Sequence, residues 1–230
     1  MRAMASMYWL TELAWIADLW WDGFVRHWRA AGLRDVPEAS EEPRELYELW
    51  LAPDLFFAQT CGYPLTHRLK DKVTLVATPC YSAPGCEGAS YRSFIIVRED
   101  SPIESLADLA GKTAGINGYD SQSGWNVLRR ALAPVLTAPG AFPRIVETGA
   151  HRRSIAAVRA GDVDVAAIDC VTFALLRQAA PNEVEDLRVI KDDLFPIPPL
   201  FTAIQAMSST DWKEMYRVFN CGIGMVVIVA

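Results

Sequence analysis

Between positions 101 and 191, short aliphatic runs alternate with segments whose apolar residues recur at helical spacing. The pattern predicts a helix over 104–109, a strand over 113–116 and a helix opening near Ser121, with Trp125, Val127, Leu128, Ala131 and Leu132 on its apolar face. It continues with a strand over 144–147, a helix over 152–160, a strand over 163–168, a helix over 171–178 and a strand over 187–191. Strands and helices in strict alternation predict an α/β fold with a doubly wound sheet. The first hundred residues are less regular. A short strand is expected over 3–8, followed by an amphipathic helix marked by Leu10, Leu13, Ala14, Ile16, Ala17, Trp20, Phe24 and Trp28, ending near Gly32, with its tryptophans in the core. An acidic loop over 37–43, a helix over 45–51 and a strand over 53–58 come next, and Gln59 to Pro64 reads as a polar turn. Two strands, 72–77 and 91–98, flank a loop rich in Pro, Gly, Ser and Cys. At the C-terminus a helix over 212–219 and an apolar strand over 225–229 are expected.

Composition narrows the class. The 230 residues are 51% hydrophobic and 22% charged, the balance of a folded protein with a sizeable core. A net charge of −6 without a Lys/Arg cluster argues against nucleic-acid binding. With no run of about 18 apolar residues, membrane insertion is not expected. The apolar N-terminal stretch is interrupted by Glu12, Asp18 and Asp22, so it reads as mature chain and not as a signal peptide, and the localisation expected from the sequence as written is cytoplasmic. The cysteines, Cys61, Cys80, Cys86, Cys170 and Cys221, follow no metal-type or CxxC spacing, so neither a metal nor a cofactor is expected. A disulfide among Cys61, Cys80 and Cys86 is one reading, and free buried thiols the other.

Candidate chemistry gathers at the predicted strand ends. Ser121, Gln122, Ser123 and Gly124 sit at a helix start, where unpaired N–H groups and the positive dipole end favour an anion and glycine permits close approach. The alternative is an ordinary N-cap by Ser121 or Asp120. Gln59-Thr60, Thr148 to His151 and Asp169 to Thr172 occupy equivalent places, and ligands of such sheets lie beyond the carboxyl ends of the strands. Each has a local alternative: His151 or Asp169 as helix cap, Thr60 as turn residue. The enzyme signatures GxSxG, GxxxxGK[ST] and HExxH are absent, and Cys170 has no histidine in a known relation to it, so no enzyme activity is expected.

The stretches LFFAQTCGYPLTHRL, VTLVATPCYSAPGCEGASYRSFIIVREDSPIESLADLAGKTAGINGYDSQSGWNVLRRAL and VETGAHRRSIAAVRAGDVDVAAIDCVTFALL resemble the PhnD-like phosphate, phosphite and phosphonate substrate-binding proteins of ABC transporters, over about 7–190. The resemblance implies a two-lobed type 2 periplasmic-binding fold with a ligand cleft between the lobes. Lobe one would span 1–98, lobe two 99–190, and 191–230 would form the C-terminal return. It implies capture of a small anionic or zwitterionic ligand such as phosphate, phosphite or a phosphonate, with an ABC permease as partner, or use of the same fold as a sensor without transport. The implied ligand set is Tyr8, Gln59, Thr60, Tyr91, Ser121, Gln122, Ser123, Gly124, His151, Asp169 and Thr172. Gln122 stands where phosphonate binders typically carry Thr, which replaces a hydroxyl with a longer amide. Asp169 suits an ammonium or a protonated oxygen.

From about position 195 the chain is similar instead to part of aminoimidazole ribonucleotide synthetase, the purine-pathway cyclo-ligase, through PPLF, EMYRVFN and GIGM. Such a tail reads as a junction or a truncated, chimeric remnant, and it implies no cyclo-ligase activity. An unpaired edge strand or exposed apolar surface in lobe one would be its structural consequence.

Overall fold

The structure, a computed structural model, describes residues 1–42, 45–141, 143–194, 207 and 225–229. The chain divides into two compact units, one of Met1–Pro79 with Ser208–Ala230 and the other of Cys80–Met207. The expected helix over 212–219 lies outside the described residues.

In the first unit, β1 (Arg2–Ala3) runs parallel to β2 (Leu55–Cys61). The strand expected over 3–8 is thus only two residues long: Met4 N–H still donates to the Phe57 carbonyl of β2, but beyond it the backbone turns to side chains, with Ala5 N–H donating to Ser40 Oγ and Met7 N–H to Gln59 Oε1. A 3-10 turn (Thr11–Leu13) leads into α1 (Ala14–Ala30), which ends with Gly32 at φ +95°, a conformation glycine adopts without strain. Among the described residues, one face of α1 is covered. Trp21 and Val25 are buried with Phe57 of β2, and Trp28 stands edge-on to Phe57 at 4.9 Å between ring centres. Trp15 and Trp20 are 60% and 42% exposed, so the expectation of core tryptophans holds for one stripe of the helix and fails on the other.

After α2 (Leu46–Trp50), β2 extends three residues beyond its expected end. Gln59 and Thr60, expected in a turn, are strand residues exposed by 1% and 0%. Backbone pairing explains the extension, since Ala58 to Cys61 align with Ile228 to Met225 of β9 (Met225–Val229), and the indole of Trp50 donates to the Gln59 carbonyl at 2.9 Å. Following α3 (Gly62–Thr66), β3 (Thr74–Ala77) pairs with the other side of β9. The order is β1-β2-β9-β3, so the C-terminal strand fills the place between β2 and β3.

The second unit carries the sheet β6-β5-β7-β4-β8, comprising β4 (Arg92–Arg98), β5 (Thr113–Ile116), β6 (Arg144–Glu147), β7 (Val165–Asp169) and β8 (Leu187–Leu194). β5 is parallel to both β6 and β7, whereas β4 is antiparallel to β7 and β8. The expected doubly wound sheet is therefore mixed. β4 falls on the lobe-one side of a boundary at 98, yet it pairs along its whole length inside this unit. β7 is buried at every position, as a strand flanked on both sides requires. Its Val165 and Ala167 join Ile95, Val97, Ile116, Leu128 and Leu132 in the core. The helices are α4 (Val127–Leu132), α5 (His151–Ala160) and α6 (Cys170–Ala179). The helix expected over 104–109 is a 3-10 turn (Leu106–Leu109) under a Ser105–Asp108 capping box. Among the described residues, no helix is long and apolar enough to cross a membrane.

Candidate functional site

β5, β6 and β7 run parallel, so their carboxyl ends point the same way, and each leads into a helix start bearing one of the expected polar groups. After β5, Ser121 is the N-cap: its Oγ accepts from Gly124 N–H at 3.0 Å. The cap alternative thus holds at Ser121, and it occupies one of the N–H groups expected to face an anion. Gln122–Asn126 forms a π-type turn, because both Trp125 and Asn126 N–H groups donate to the Ser121 carbonyl, at 3.3 and 3.1 Å. Such widened turns recur at functional sites. Gln122 and Ser123 lie within this turn, exposed by 7% and 6%, with N–H groups not engaged by the cap. Gly124 has a different reason from the expected close approach of a ligand. A Cβ there would meet Asn117 Oδ1 at 1.9 Å, so glycine admits the Asn117 side chain.

His151 does not cap its own helix. Ala150 holds the N-cap position of α5 without a side-chain bond, and the His151 ring turns instead to Ser123, with Nε2 2.8 Å from Ser123 Oγ. The same nitrogen is 3.4 Å from Asp169 Oδ2. Asp169 does cap α6, accepting from Thr172 N–H through Oδ1 at 2.7 Å, which leaves Oδ2 for His151. One carboxylate serves both readings. Thr172 takes part through its backbone, and its residue is 9% exposed. A Ser–His–Asp set acting in nucleophilic catalysis has the carboxylate on the ring nitrogen opposite the serine. Here Ser123 and Asp169 compete for one nitrogen, which suits presentation of polar groups and not proton abstraction from the serine.

Burial lowers the His151 pKa below the ordinary histidine value of about 6.5, against the opposing influence of the Asp169 charge and the Ala167 carbonyl. Above 6.5 the imidazole is neutral folded or unfolded, and it exacts no penalty. As pH falls below 6.5 the unfolded chain takes up a proton that the native state resists, so stability declines until the depressed folded pKa is reached. Replacing His151 with Gln is expected to flatten that part of the stability–pH curve, measured by urea unfolding between pH 7.5 and 4.5. An unchanged slope would show that His151 titrates as it does in the unfolded chain.

Tyr91 directly precedes β4 and is half-buried. Tyr8, Gln59 and Thr60 belong to the first unit. The Tyr8 N–H donates to Ser6 Oγ at 3.0 Å, the Gln59 side chain is used by Met7, and Thr60 Oγ1 donates to the Cys61 carbonyl at 3.4 Å. Two polar groups of the second unit were not anticipated. Ser93 on β4 pairs in register with Asp169, and its Oγ is buried without a hydrogen-bond partner among the described residues; Asn117 Oδ1 is in the same condition. Ser93 was legible as a lone polar residue in the apolar run of β4, but only strand pairing sets it opposite Asp169. Among the described residues no cluster of His, Cys, Asp and Glu is placed to hold a metal ion.

Solved structures share this fold. PhnD1 from Prochlorococcus marinus in complex with methylphosphonate superposes with a TM-score of 0.58 at 12% identity, over 78% of this chain and 58% of that one. A binding protein component of an ABC phosphonate transporter from Pseudomonas aeruginosa gives 0.63 at 16% identity, over 97% and 66%. The periplasmic aliphatic sulphonate binding protein SsuA from Escherichia coli gives 0.52 at 21% identity, over 91% and 56%. At these identities the likeness is one of fold, the type 2 periplasmic-binding α/β fold. Short matches to phosphoribosylformylglycinamidine cyclo-ligases agree with the resemblance of the C-terminal stretch: 60% identity over 42 residues in Cupriavidus necator and 60% over 62 in Cupriavidus metallidurans. They span 12% and 18% of those enzymes and do not establish an enzyme activity. Residues 52–211 match the family described as ABC transporter, phosphonate, periplasmic substrate-binding protein. The chain belongs to that family of substrate-binding proteins.

Proposed function

We propose that the chain captures a small oxyanion, such as phosphate, phosphite or a phosphonate, for an ABC transporter, and that Ser123, His151 and Asp169 contribute polar groups to the site. The observation carrying this reading is the meeting of three parallel strand ends, which sets the Ser123 hydroxyl 2.8 Å from His151 Nε2 and the Asp169 carboxylate 3.4 Å from it. Hydroxyl and backbone N–H donors in a largely buried setting suit oxyanion oxygens. The Asp169 carboxylate favours a ligand that brings its own proton or ammonium, since a bare dianion would be repelled. Family membership supports capture for transport over sensing, and the periplasmic description of the family supports a working compartment outside the cytoplasm. The short cyclo-ligase matches lend no support to an enzyme.

The test is a thermal-shift panel of phosphate, phosphite, methylphosphonate, 2-aminoethylphosphonate and sulfate. A ligand present at a hundred times its Kd adds about 2.7 kcal/mol of stability. At least one phosphorus oxyanion is expected to raise Tm in a saturable way, with calorimetric titration confirming a single site. Absence of a shift across the panel would overturn the proposal.

A further inference from the structure

Cys86 and Cys170 are separated by 84 positions, yet their Sγ atoms lie 3.5 Å apart. The expected partners of Cys86 are Cys61 and Cys80; the thiol it meets is instead that of Cys170, and Cys86 and Cys170 are not joined by a disulfide. Cys170 opens α6 directly after Asp169 and is fully buried, whereas Cys86 is half-buried on the loop between β3 and β4. The backbone is shaped for the approach. Gly85 adopts φ +98°, and a Cβ there would meet Cys170 Cβ at 2.9 Å, so glycine alone lets the loop lie against this residue. The loop is also held internally: Cys86 N–H donates to the Ala83 carbonyl at 2.9 Å, and Glu87 and Ser90 exchange backbone bonds at 2.9 and 3.0 Å. A sulfur–sulfur bond is about 2.05 Å long, so rotation of two thiols already in contact covers most of the remaining distance.

We propose that Cys86 and Cys170 form a disulfide by exchange with an external disulfide, either a small molecule such as glutathione disulfide or a protein disulfide oxidant, tethering the Cys86 loop to the strand–helix junction that carries Asp169. The Cys86 thiolate, the more accessible, attacks the external disulfide and one thiolate leaves. The Cys170 thiolate then attacks Cys86 Sγ and expels the second. The pair loses two electrons, the oxidant gains them, and the two cysteine protons end on the departing thiols. Burial raises the Cys86 thiol and pushes that of Cys170 up to about 12, so closure is slow at neutral pH and faster in mild alkali.

Because Cys80 and Cys86 share one tryptic fragment, the test uses the full chain carrying Cys80→Ser. It is incubated with glutathione disulfide or with dithiothreitol, alkylated, digested and mapped by mass spectrometry. The expected product of oxidation is the Cys86 peptide joined to the Cys170 peptide and two hydrogens lighter than their sum, with Tm raised by roughly 5–10 °C, given the long closed loop. Adding Cys86→Ser is expected to abolish both the cross-link and the shift. Recovery of Cys86 after oxidation as an alkylated thiol or a glutathione adduct, or of Cys170 joined to another cysteine, would overturn the proposal. Mapping without Cys86→Ser decides the matter even if that substitution impairs folding.

Discussion

Deletion of Met225–Ala230 is expected to unfold the first unit or render the chain insoluble. β9 aligns with β2 at four positions, Ala58 to Cys61, and with β3 at Thr74, Leu75 and Ala77. A ladder hydrogen bond contributes about 0.5–1.5 kcal/mol net, so loss of pairing on both sides removes several kcal/mol from a total of about 5–15. The deletion also converts two inner strand edges into unpaired ones, which recruit other chains. The checks are soluble yield, the melting curve and amide hydrogen exchange. Protection is expected to collapse at Ala58–Cys61 and to persist in β5 and β7. Val227→Pro is the finer test, because Val227 is aligned with both Gln59 and Ala77, and proline removes the N–H of an inner strand. Unchanged melting and exchange in either variant would show that β9 is dispensable. The C-terminal stretch resembles a cyclo-ligase, but its last strand is integral to the sheet.

Ser121→Ala and Ser123→Ala are expected to separate stability from binding, although the two serines are two positions apart. Ser121 Oγ caps the Gly124 N–H, so its loss costs about 1 kcal/mol of stability. The Ser123 hydroxyl meets His151 Nε2 instead, and a hydrogen bond from it to a charged oxygen is worth about 1.5–3 kcal/mol. Ser123→Ala should therefore weaken oxyanion affinity about tenfold or more, each factor of ten being about 1.4 kcal/mol, while lowering Tm little. Calorimetric titration with whichever oxyanion binds the parent chain, together with melting curves, reads both effects. Equal affinity in parent and Ser123→Ala would remove Ser123 from the site. A larger loss of Tm in Ser123→Ala than in Ser121→Ala would make its bond to His151 structural.

Local chemistry was legible wherever the cause was local. The runs at 113–116 and 144–147 appear as β5 and β6, and the helix spacing at 152–160 and 171–178 appears as α5 and α6 within a residue or two. Their apolar residues lie within the elements themselves, and α6 carries its cap in the adjacent Asp169. Elements set by distant partners were misread. Gln59 and Thr60 look like turn residues beside Gly62 and Pro64, but pairing with β9, more than 160 positions away, holds them in a strand. The 3–8 stretch is extended in composition, yet past Met4 the side chains of Ser40 and Gln59 take the N–H groups of Ala5 and Met7 in place of β2 carbonyls.

By itself, the sequence determined the α/β class, the polar character of three strand ends and the likeness to phosphonate-binding proteins, because periodicity, capping residues and motif order are properties of neighbouring positions. Only the tertiary structure decided which of those polar groups meet. Parallel pairing of β5 with β6 and β7 aligns three helix starts that are 30 and 18 residues apart in sequence, from Ser121 to His151 and from His151 to Asp169. That alignment turns His151 from a candidate cap into a partner of Ser123, and gives Asp169 one oxygen for its helix and one for the histidine. The physical reason is that sheet register couples residues by strand order, which no local spacing encodes.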